Sequence, residues 1–470
     1  MSEASSREES GDAAEEQEEQ EGQEEQEETW EHSQRKHIFI LSSSGKPIYS
    51  RYGDEQSMAN TFGMIQAVIS IAEEREGGIS CIQAGHRRMV FFLRGSLYFV
   101  AISSTMEPQA VLGKQLEFMY RQVLLTLTSK VQTLLTTNSS RDLRDLLGAD
   151  TTQLMSTACT FDIAPLCIAF ESIKSFVADK ETRSVVLSCL KESIDKTDAP
   201  CAMLMYEEHL IAYSLNGSIG IALEVSDILL LTHFVSNSSS LRRSNDQNWV
   251  PVCLPSFNEK AFLQAYVCNL RLMSGGRVAD LSLVLLSTSA EPETFSQLHE
   301  ARKEFERKIS QAALSDRLVA ACGLQDKHLA RYLSSSSVLH FLHKYSPSTG
   351  GSPSQFCSAA FQFPLDSPLS RERVLTQYER LALYLRVGSS SPELTVPQEP
   401  GEPNVLCLPP SSDYSLAYSV LSTGLVVVGY ATFNTECFAT FPGTLTGMDC
   451  CKRIGSFVKE LRQDLALFQA

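Results

Sequence analysis

Hydrophobic and polar positions follow one another along this chain in an order that recurs three times. In the first copy, the apolar segment KHIFIL predicts a strand, the polar segment SSSGKP a turn, and IYSRY a second strand. Apolar residues from Met58 to Ile69 then recur at helical spacing, which predicts a helix capped by Asp54 and ending near Gly77. ISCIQAG, RMVFFLRG and SLYFVAISS predict three further strands, and a helix with apolar residues from Val111 onward closes the copy.

The second and third copies repeat this order without visible sequence identity. The second is predicted from PCAMLMYEEHLIAYSL (two strands), SDILLLTHFV (a helix), NWVPVCLPSF, AFLQAYVCNLRLM and ADLSLVLLST (three strands), and an amphipathic helix from Thr294 to Ala312. The third is predicted from VLHFLHKY and QFCSAAFQF (two strands), RERVLTQYERLALYLRV (a helix), NVLCLP, YSLAYSVLS and GLVVVGYATF (three strands), and a last helix through Ile454 and Leu465. The pattern indicates a structural repeat of one α/β unit.

Composition shifts set the domain boundaries. Residues rich in Glu, Gln, Ser and Gly at the start cannot bury enough apolar surface to offset their chain entropy, which predicts disorder. A Ser, Gly and Pro-rich stretch over 388–403 is predicted as a long loop. We predict, in order, an acidic tail over 1–34, a first domain over 35–155, a second over 156–312 with leading helices, a linker over 313–337 and a third domain over 338–470.

The net charge of −16 is concentrated in the tail. Residues 1–31 contain 14 acidic residues and the single base Arg7, which leaves a net charge of only −3 for the remainder. A nearly neutral folded part has no global basic field of the kind that nucleic acid selects. The tail is either a solubilising segment or a regulatory one, which would compete for a basic patch or be phosphorylated at Ser5, Ser6 or Ser10.

Cysteine usage and hydropathy indicate a cytoplasmic protein. The 13 cysteines are scattered singly and form no CxxC motif, as expected of reduced, buried thiols. The acidic N-terminus resembles no signal peptide, and no apolar run approaches the roughly 18 residues that span a bilayer.

No motif predicts an active site. In SSSGKP, Pro47 follows Gly45-Lys46 and Ile40 stands where a phosphate loop needs its first glycine, so the segment predicts a hairpin turn. His340 and His343 would point to opposite faces of a strand and cannot both bind one metal. The vicinal cysteines 450 and 451 are typical of buried thiols rather than of redox chemistry. We therefore expect no catalytic residue, metal or cofactor.

Two segments are candidates for protein binding instead. Trp249 and Phe257 flank two prolines in NWVPVCLPSFN, which predicts a sheet edge and an aromatic anchor, although Trp249 fits core packing of its own domain equally well. The helix from Asp54 to Ala72 has an apolar face wider than one sheet needs, which suits a second partner or, alternatively, a broad core.

The segment RKHIFILSSSGKPIYSRYG closely resembles the start of the first folded domain in the Mon-one family of vacuolar and late-endosomal fusion proteins. SRDLRDLLG, NWVPVCLPSFN with AFLQAYV after it, and VLHFLHKY are similar to further blocks of that family, in the same order. The resemblance implies three longin-like (roadblock/longin-type) domains, each a mostly antiparallel five-stranded sheet flanked by helices.

The resemblance also implies a function without covalent chemistry. Family members form an obligate heterodimer with a Ccz-one-type tri-longin subunit, and the pair is a guanine-nucleotide exchange factor for a late-endosomal Rab (Rab-seven type). An early-endosomal Rab and an anionic phosphoinositide membrane recruit it to endosomes and vacuoles. The alternative is a subunit of another tri-longin complex, of the Hermansky–Pudlak or Fuzzy type.

Carried over to this sequence, the resemblance implies three sets of site residues. The GTPase and partner interface of the first domain would include Asn60, Phe62, Met64 and Ile65. The surface for the recruiting Rab would include Trp249, Pro251 and Phe257. Candidate lipid contacts on the last helix are Lys452, Arg453, Lys459 and Arg462.

Overall fold

The computed structural model describes residues 35–53, 57–74, 78–85, 87–105, 107–137, 166–216, 223–243, 247–347, 352–390, 405–408, 411 and 413–464. Its contacts divide the chain into two compact units, Met1–Gln109 and Ala110–Ala470. The predicted acidic tail over 1–34, the boundary between the first two domains and most of the loop predicted over 388–403 lie outside the described residues. None of the described helices is both long and apolar enough to cross a membrane.

The first unit is a five-stranded antiparallel sheet with a helix packed on it. Its central strands consist mostly of apolar residues, because they are buried on both faces. The elements are β1 (Lys36–Ser42), β2 (Pro47–Ser50), α1 (Ala59–Glu73), β3 (Cys81–Ala84), β4 (Arg87–Arg94) and β5 (Leu97–Ser103), with the strands in the order β2-β1-β5-β4-β3.

Helix α1 confirms the predicted element. It begins after Met58 and ends at Glu73, while the predicted cap, Asp54, and Gly77 lie outside the described residues. The apolar face runs through Met58, Phe62 and Ile69 into the core of the first sheet. Because that face begins at Met58, the first turn forms there.

The second sheet repeats the strand order of the first. The elements up to its closing helix are α2 (Gln109–Leu127), α3 (Lys130–Thr137), α4 (Leu166–Ala169), β6 (Ile173–Lys174), α5 (Lys180–Ile194), β7 (Cys201–Tyr206), β8 (His209–Leu215), α6 (Val225–Asn237), α7 (Ser239–Arg243), β9 (Asn248–Val252), α8 (Pro255–Asn258), β10 (Leu263–Ser274), β11 (Arg277–Ser287) and α9 (Pro292–Ile309). The order β8-β7-β11-β10-β9 confirms the predicted two strands, helix and three strands. Strand β9, with Pro251, lies at the edge, as its prolines predicted.

The predicted linker over 313–337 is instead helical. Two helices, α10 (Ala312–Cys322) and α11 (Gln325–Ser336), occupy it. Leu314 and Leu318 pack into the core of the second sheet, whereas Leu329 and Tyr332 pack into that of the third. The small and polar residues that suggested a loop lie between these buried positions, so tertiary packing decides the conformation.

The third sheet has seven strands, two more than predicted. Its elements are β12 (His340–Tyr345), β13 (Gln355–Ser358), α12 (Pro368–Ser390), β14 (Val405–Cys407), β15 (Ser415–Val420), β16 (Val426–Ala431), β17 (Thr435–Phe441) and α13 (Gly447–Asp464). Its strands follow the order β14-β15-β16-β17-β12-β13-β6. Five of them, β13-β12-β17-β16-β15, repeat the order of the other two sheets.

Strand β17 was not predicted from the sequence, in which NVLCLP, YSLAYSVLS and GLVVVGYATF were expected to form the last three strands of this copy. The structure places β17 next, after a tight turn in which the Thr432 amide donates to the Thr435 carbonyl at 2.7 Å. The NVLCLP strand, β14, is an addition at the edge.

Residues 173–176 join the second and third sheets at their edges. Ile173 and Lys174 of β6 pair in parallel with β13, and Ser175 then forms a parallel bridge with Leu210 of β8. Helices were predicted throughout this region, and only α4 and α5 confirm them among the described residues. A strand two residues long carries no period, and it forms here because two sheet edges meet on it.

Candidate functional site

The SSSGKP loop is a hairpin turn between β1 and β2, as predicted. The Ser42 amide donates to the Lys46 carbonyl at 2.9 Å, and Gly45 has a φ of +80° that favours glycine. The chain continues into strand β2, so the loop is not followed by the helix N-terminus that a phosphate loop uses. This geometry is that of a turn and not of a phosphate cradle.

Helix α1 divides its four predicted interface residues between two faces. Phe62 and Ile65 are buried in the core of the first sheet, where the Phe62 ring meets Phe39 edge-on at 5.4 Å. Asn60 and Met64 are exposed on the outer face. A protein partner docking on this helix would contact Asn60 and Met64 directly and would depend on Phe62 and Ile65 only for the helix's position.

The outer face of α1 is uncharged and carries two exposed apolar side chains. Met64 is 52% exposed, and Ile71, two turns further on, is 55% exposed. No Asp, Glu, Lys or Arg stands between Ala59 and Ala72. Sequence reasoning overlooked Ile71, although its spacing of seven from Met64 places both residues on one face. Exposed apolar side chains on an uncharged helix suit a protein interface.

Trp249 is half-buried against the core of the second sheet. Its ring meets Phe295 of α9 edge-on at 5.6 Å and Tyr266 of β10 at 6.5 Å. On the same strand, Pro251 is exposed at the sheet edge. The indole therefore has a packing role in its own domain, while the edge beside it remains accessible.

Phe257 lies in the short helix α8, directly after the edge strand, and its turn is held by another helix. The Asp227 carboxylate of α6 accepts the Phe257 amide at 2.8 Å and the Ser256 amide at 3.1 Å. Burial raises the pKa of Asp227, and these two amides and Arg121 oppose that shift. Trp249 and Phe257 are thus attached to different helices, α9 and α6.

The last helix, α13, presents the four predicted cationic side chains to solvent. Lys452, Arg453 and Lys459 are exposed, and Arg462 donates to the Thr432 and Thr435 hydroxyls at 3.1 and 2.6 Å. The opposite face packs into the third core through Ile454, Phe457, Val458 and Leu461, as predicted. Leu465, predicted to continue that face, lies outside the described residues.

Two models of one protein family match this chain. The first longin domain of FUZ, MON1 and HPS1 matches residues 36–157, and the second longin domain of the same proteins matches residues 198–307. The vacuolar fusion protein MON1 homolog of Oryza sativa subsp. japonica is 30% identical over 389 residues, which cover 77% of this chain and 66% of the rice protein. The chain belongs to the MON1 family.

Other members of the MON1 family have a similar sequence identity to this chain. MON1 homolog A of Bos taurus is 30% identical over 370 residues, covering 75% of this chain and 60% of the bovine protein. The Arabidopsis thaliana homolog is 28% identical over 397 residues, covering 80% of this chain and 63% of that protein. The chain thus spans between 60 and 66% of the length of these MON1 relatives.

The MON1-family matches cover two of the three predicted surfaces. Helix α1 lies within the first longin match, and Trp249 and Phe257 lie within the second. The cationic residues of α13 lie beyond both matches. The longin assignment of the first two sheets is therefore confirmed, and the third sheet shares their strand order.

The surroundings of His340, Cys450 and Cys451 indicate structural roles for these side chains. His340 lies between the Tyr378 hydroxyl at 3.1 Å and the Ser358 hydroxyl at 3.2 Å, and burial lowers its pKa to about 3. Burial raises the pKa of Cys450 and Cys451 to about 11, which disfavours the reactive thiolate. Across the part of the chain that the structure describes, no group of His, Cys, Asp and Glu could hold a metal ion.

Proposed function

We propose that this chain acts in vacuolar and late-endosomal membrane fusion as one subunit of a heterodimeric guanine-nucleotide exchange factor. Its partner would be a Ccz-one-type tri-longin protein, and its substrate a late-endosomal Rab GTPase of the Rab-seven type. The observation that carries the proposal is membership of the MON1 family, whose rice member, 30% identical, is named a vacuolar fusion protein.

The mechanism requires no catalytic acid, base or nucleophile. An exchange factor binds the nucleotide-free GTPase more tightly than the GDP-bound form, and this difference in affinity lowers the barrier to GDP release. A few kcal/mol of differential binding accelerates release by orders of magnitude. We therefore propose that the chain is not an enzyme in the covalent sense, and that complementary surfaces supply its activity.

The outer face of α1 is the proposed site of partner and GTPase contact. Met64 and Ile71 offer exposed apolar area, and Asn60 offers hydrogen-bonding groups on the same helix. An uncharged face avoids the cost of desolvating ions when a second protein covers it. These properties suit a permanent interface with a partner subunit.

Two further surfaces would bring the complex to its membrane. The edge strand β9 and the turn after it, with Trp249, Pro251 and Phe257, would receive an early-endosomal Rab. The exposed Lys452, Arg453 and Lys459, with Arg462, would meet an anionic phosphoinositide membrane, where each cation contributes about 1 kcal/mol near the surface. The proposed location is cytoplasmic, with peripheral recruitment to endosomes and vacuoles and a role in endosome maturation and autophagy.

A second candidate is a subunit of another tri-longin complex. The matching family models describe FUZ and HPS1 as well as MON1, so a Fuzzy-type or Hermansky–Pudlak-type complex is the alternative. Such a complex would act on a different Rab or have a different partner. The similarity to MON1 homologues over about three quarters of the chain favours the first candidate.

Fluorescent-GDP release tests the proposal. The chain co-purified with its Ccz-one-type partner should accelerate GDP release from the late-endosomal Rab, whereas the chain alone should do little. A panel of Rabs assayed in parallel separates the two candidates. Exchange on another Rab only would favour the alternative, and absence of exchange by the purified pair on every Rab would reject both.

A further inference from the structure

The segment that follows the edge strand is fastened to α2 and the chain after it. The Cys253 amide donates to the Leu125 carbonyl at 2.8 Å, and the Ser129 amide donates to the Glu259 carbonyl at 2.7 Å. Between these two points, Arg121 donates to the Ser256 hydroxyl at 2.7 Å. Residues 253–259, which we name the ledge, are thus bonded at both ends and in the middle.

Asp227 of α6 is the anionic centre of this arrangement. Its side chain is fully buried, and its two carboxylate oxygens accept the Ser256 and Phe257 amides separately. The Arg121 guanidinium lies 4.0 Å from one of these oxygens. A carboxylate can accept both amides at once, whereas the single carbonyl oxygen of an asparagine in its place would have to serve two donors that point to different positions.

We infer that Asp227, aided by Arg121, is the positioning residue that sets how the ledge, with Phe257, is presented beside the edge strand. The inference rests on the proposed function, because it assumes that this edge receives the recruiting Rab. Asp227 itself is buried and touches no partner. It acts by fixing the backbone at Ser256 and Phe257, and so it fixes the position of a half-buried aromatic side chain at the surface.

A fixed ledge favours binding for a thermodynamic reason. If the ledge were mobile in the free protein, the Rab would have to order it on binding, and the lost conformational freedom would subtract from the affinity. Because the buried carboxylate accepts two amides of the ledge, the ledge is already ordered when the protein folds, and its conformational entropy is lost then and not on binding. Loss of the carboxylate should therefore weaken binding through faster dissociation, with little effect on the folded state elsewhere.

The test compares variants of the full chain in complex with its partner. Affinity for the early-endosomal Rab, loaded with a non-hydrolysable GTP analogue, is measured together with amide hydrogen exchange. Asp227→Asn should weaken Rab binding about tenfold and accelerate amide hydrogen exchange within residues 253–259. The reason is that one of the two backbone amides of the ledge would lose its hydrogen-bond acceptor. Asp316→Asn, at an exposed aspartate that accepts the Ser274 hydroxyl, is the matched control and should change neither quantity.

A second variant keeps the test valid if Asp227→Asn fails to fold. Arg121→Gln alters a side chain that is 23% exposed and should fold, yet it should weaken Rab binding about threefold and loosen the ledge. If Asp227→Asn and Arg121→Gln fold and change neither Rab binding nor amide hydrogen exchange, while Trp249→Ala loses Rab binding, the role of Asp227 is rejected. The proposed recruiting surface would still be supported in that case. If the wild-type complex does not bind this Rab, or binds it equally well with Trp249→Ala, the recruiting surface is rejected and the inference falls with it.

Discussion

The indole of Trp249 meets the ring of Phe295 edge-on, with centroids 5.6 Å apart and planes at 90°. This contact joins the edge strand β9 to α9. An edge-to-face pair contributes about 0.5–1.5 kcal/mol beyond its buried area. We expect Trp249→Ala and Phe295→Ala each to lower the free energy of unfolding by about 2 kcal/mol, and the double variant to lose less than their sum because the shared contact is removed only once. Denaturant unfolding of the four proteins measures this coupling; strictly additive losses would contradict it.

Rab affinity separates the packing role of Trp249 from a binding role. At a temperature where all variants are folded, Trp249→Ala should weaken binding of the early-endosomal Rab at least about tenfold, as anchor residues do. Phe295→Ala, which disturbs the same packing from the helix side, should weaken it by less than about threefold. Equal losses in the two variants would mean that Trp249 acts only through the core.

Met64 on the outer face of α1 is predicted to contact the partner subunit. Met64→Glu should weaken heterodimer formation at least about tenfold, because an unpaired carboxylate would be buried in the interface. The melting temperature of the isolated chain should not change, since Met64 is 52% exposed. Met273→Glu, at the tip of the β10–β11 hairpin and 68% exposed, is the matched control. Co-purification with the partner measures the effect, and equal retention of the partner by both variants would exclude this face.

The hairpin turn at Gly45 is predicted to matter for stability and not for nucleotide binding. Gly45→Ala places a side chain at a φ of +80°, with its Cβ only 3.2 Å from Gln66, and should lower the free energy of unfolding by about 1–2 kcal/mol. Lys46→Ala should leave stability nearly unchanged. Thermal melts check both variants. If Lys46→Ala abolished binding of GTP or GDP by this chain, the turn would have to be reconsidered as a phosphate site.

Acid should destabilise the third sheet through His343. Burial and the nearby Arg462 lower its pKa from 6.5 to about 3. Between these values the unfolded chain binds a proton that the folded chain does not, so stability is fully present above pH 6.5 and falls as the pH falls. At pH 5 this single residue should cost about 2 kcal/mol. His343→Gln should therefore lose less stability than the wild type between pH 7.5 and pH 5, as measured by denaturant unfolding; an identical loss would exclude this origin.

Elements with a sustained period could be predicted from the sequence, and elements without one could not. The first two sheets and α13 followed from alternation and helical spacing over many residues. Strand β6, two residues long, depends on sheet edges remote in sequence, and the helices over 312–336 depend on two cores at once. Strand β17 was not predicted because NVLCLP was counted as the first of the three strands and the third was ended at Phe433.

The sequence located the helices and strands that carry the candidate surfaces, but it did not separate their exposed residues from their buried ones. Helical spacing located α1, yet Phe62 and Ile65 proved to be core residues, whereas Ile71 is exposed on the outer face. The packing of Trp249 on Phe295 brings together residues 46 positions apart, and the contacts of Asp227 with the ledge cross about 30. Local pattern carries no information on such distant contacts. The edge position of β9 was predictable, because proline lacks the amide that a central strand must donate.

Nucleotide release by the purified pair tests the central claim most directly. The chain and its Ccz-one-type partner are mixed with the late-endosomal Rab loaded with fluorescent GDP, and the loss of fluorescence is followed after excess GTP is added. We predict that the pair accelerates release at least about a hundredfold over the intrinsic rate. Met64→Glu, assayed at a concentration too low for its weakened pair to form, should show the intrinsic rate. Release at the intrinsic rate in the presence of a well-formed wild-type pair would contradict the account.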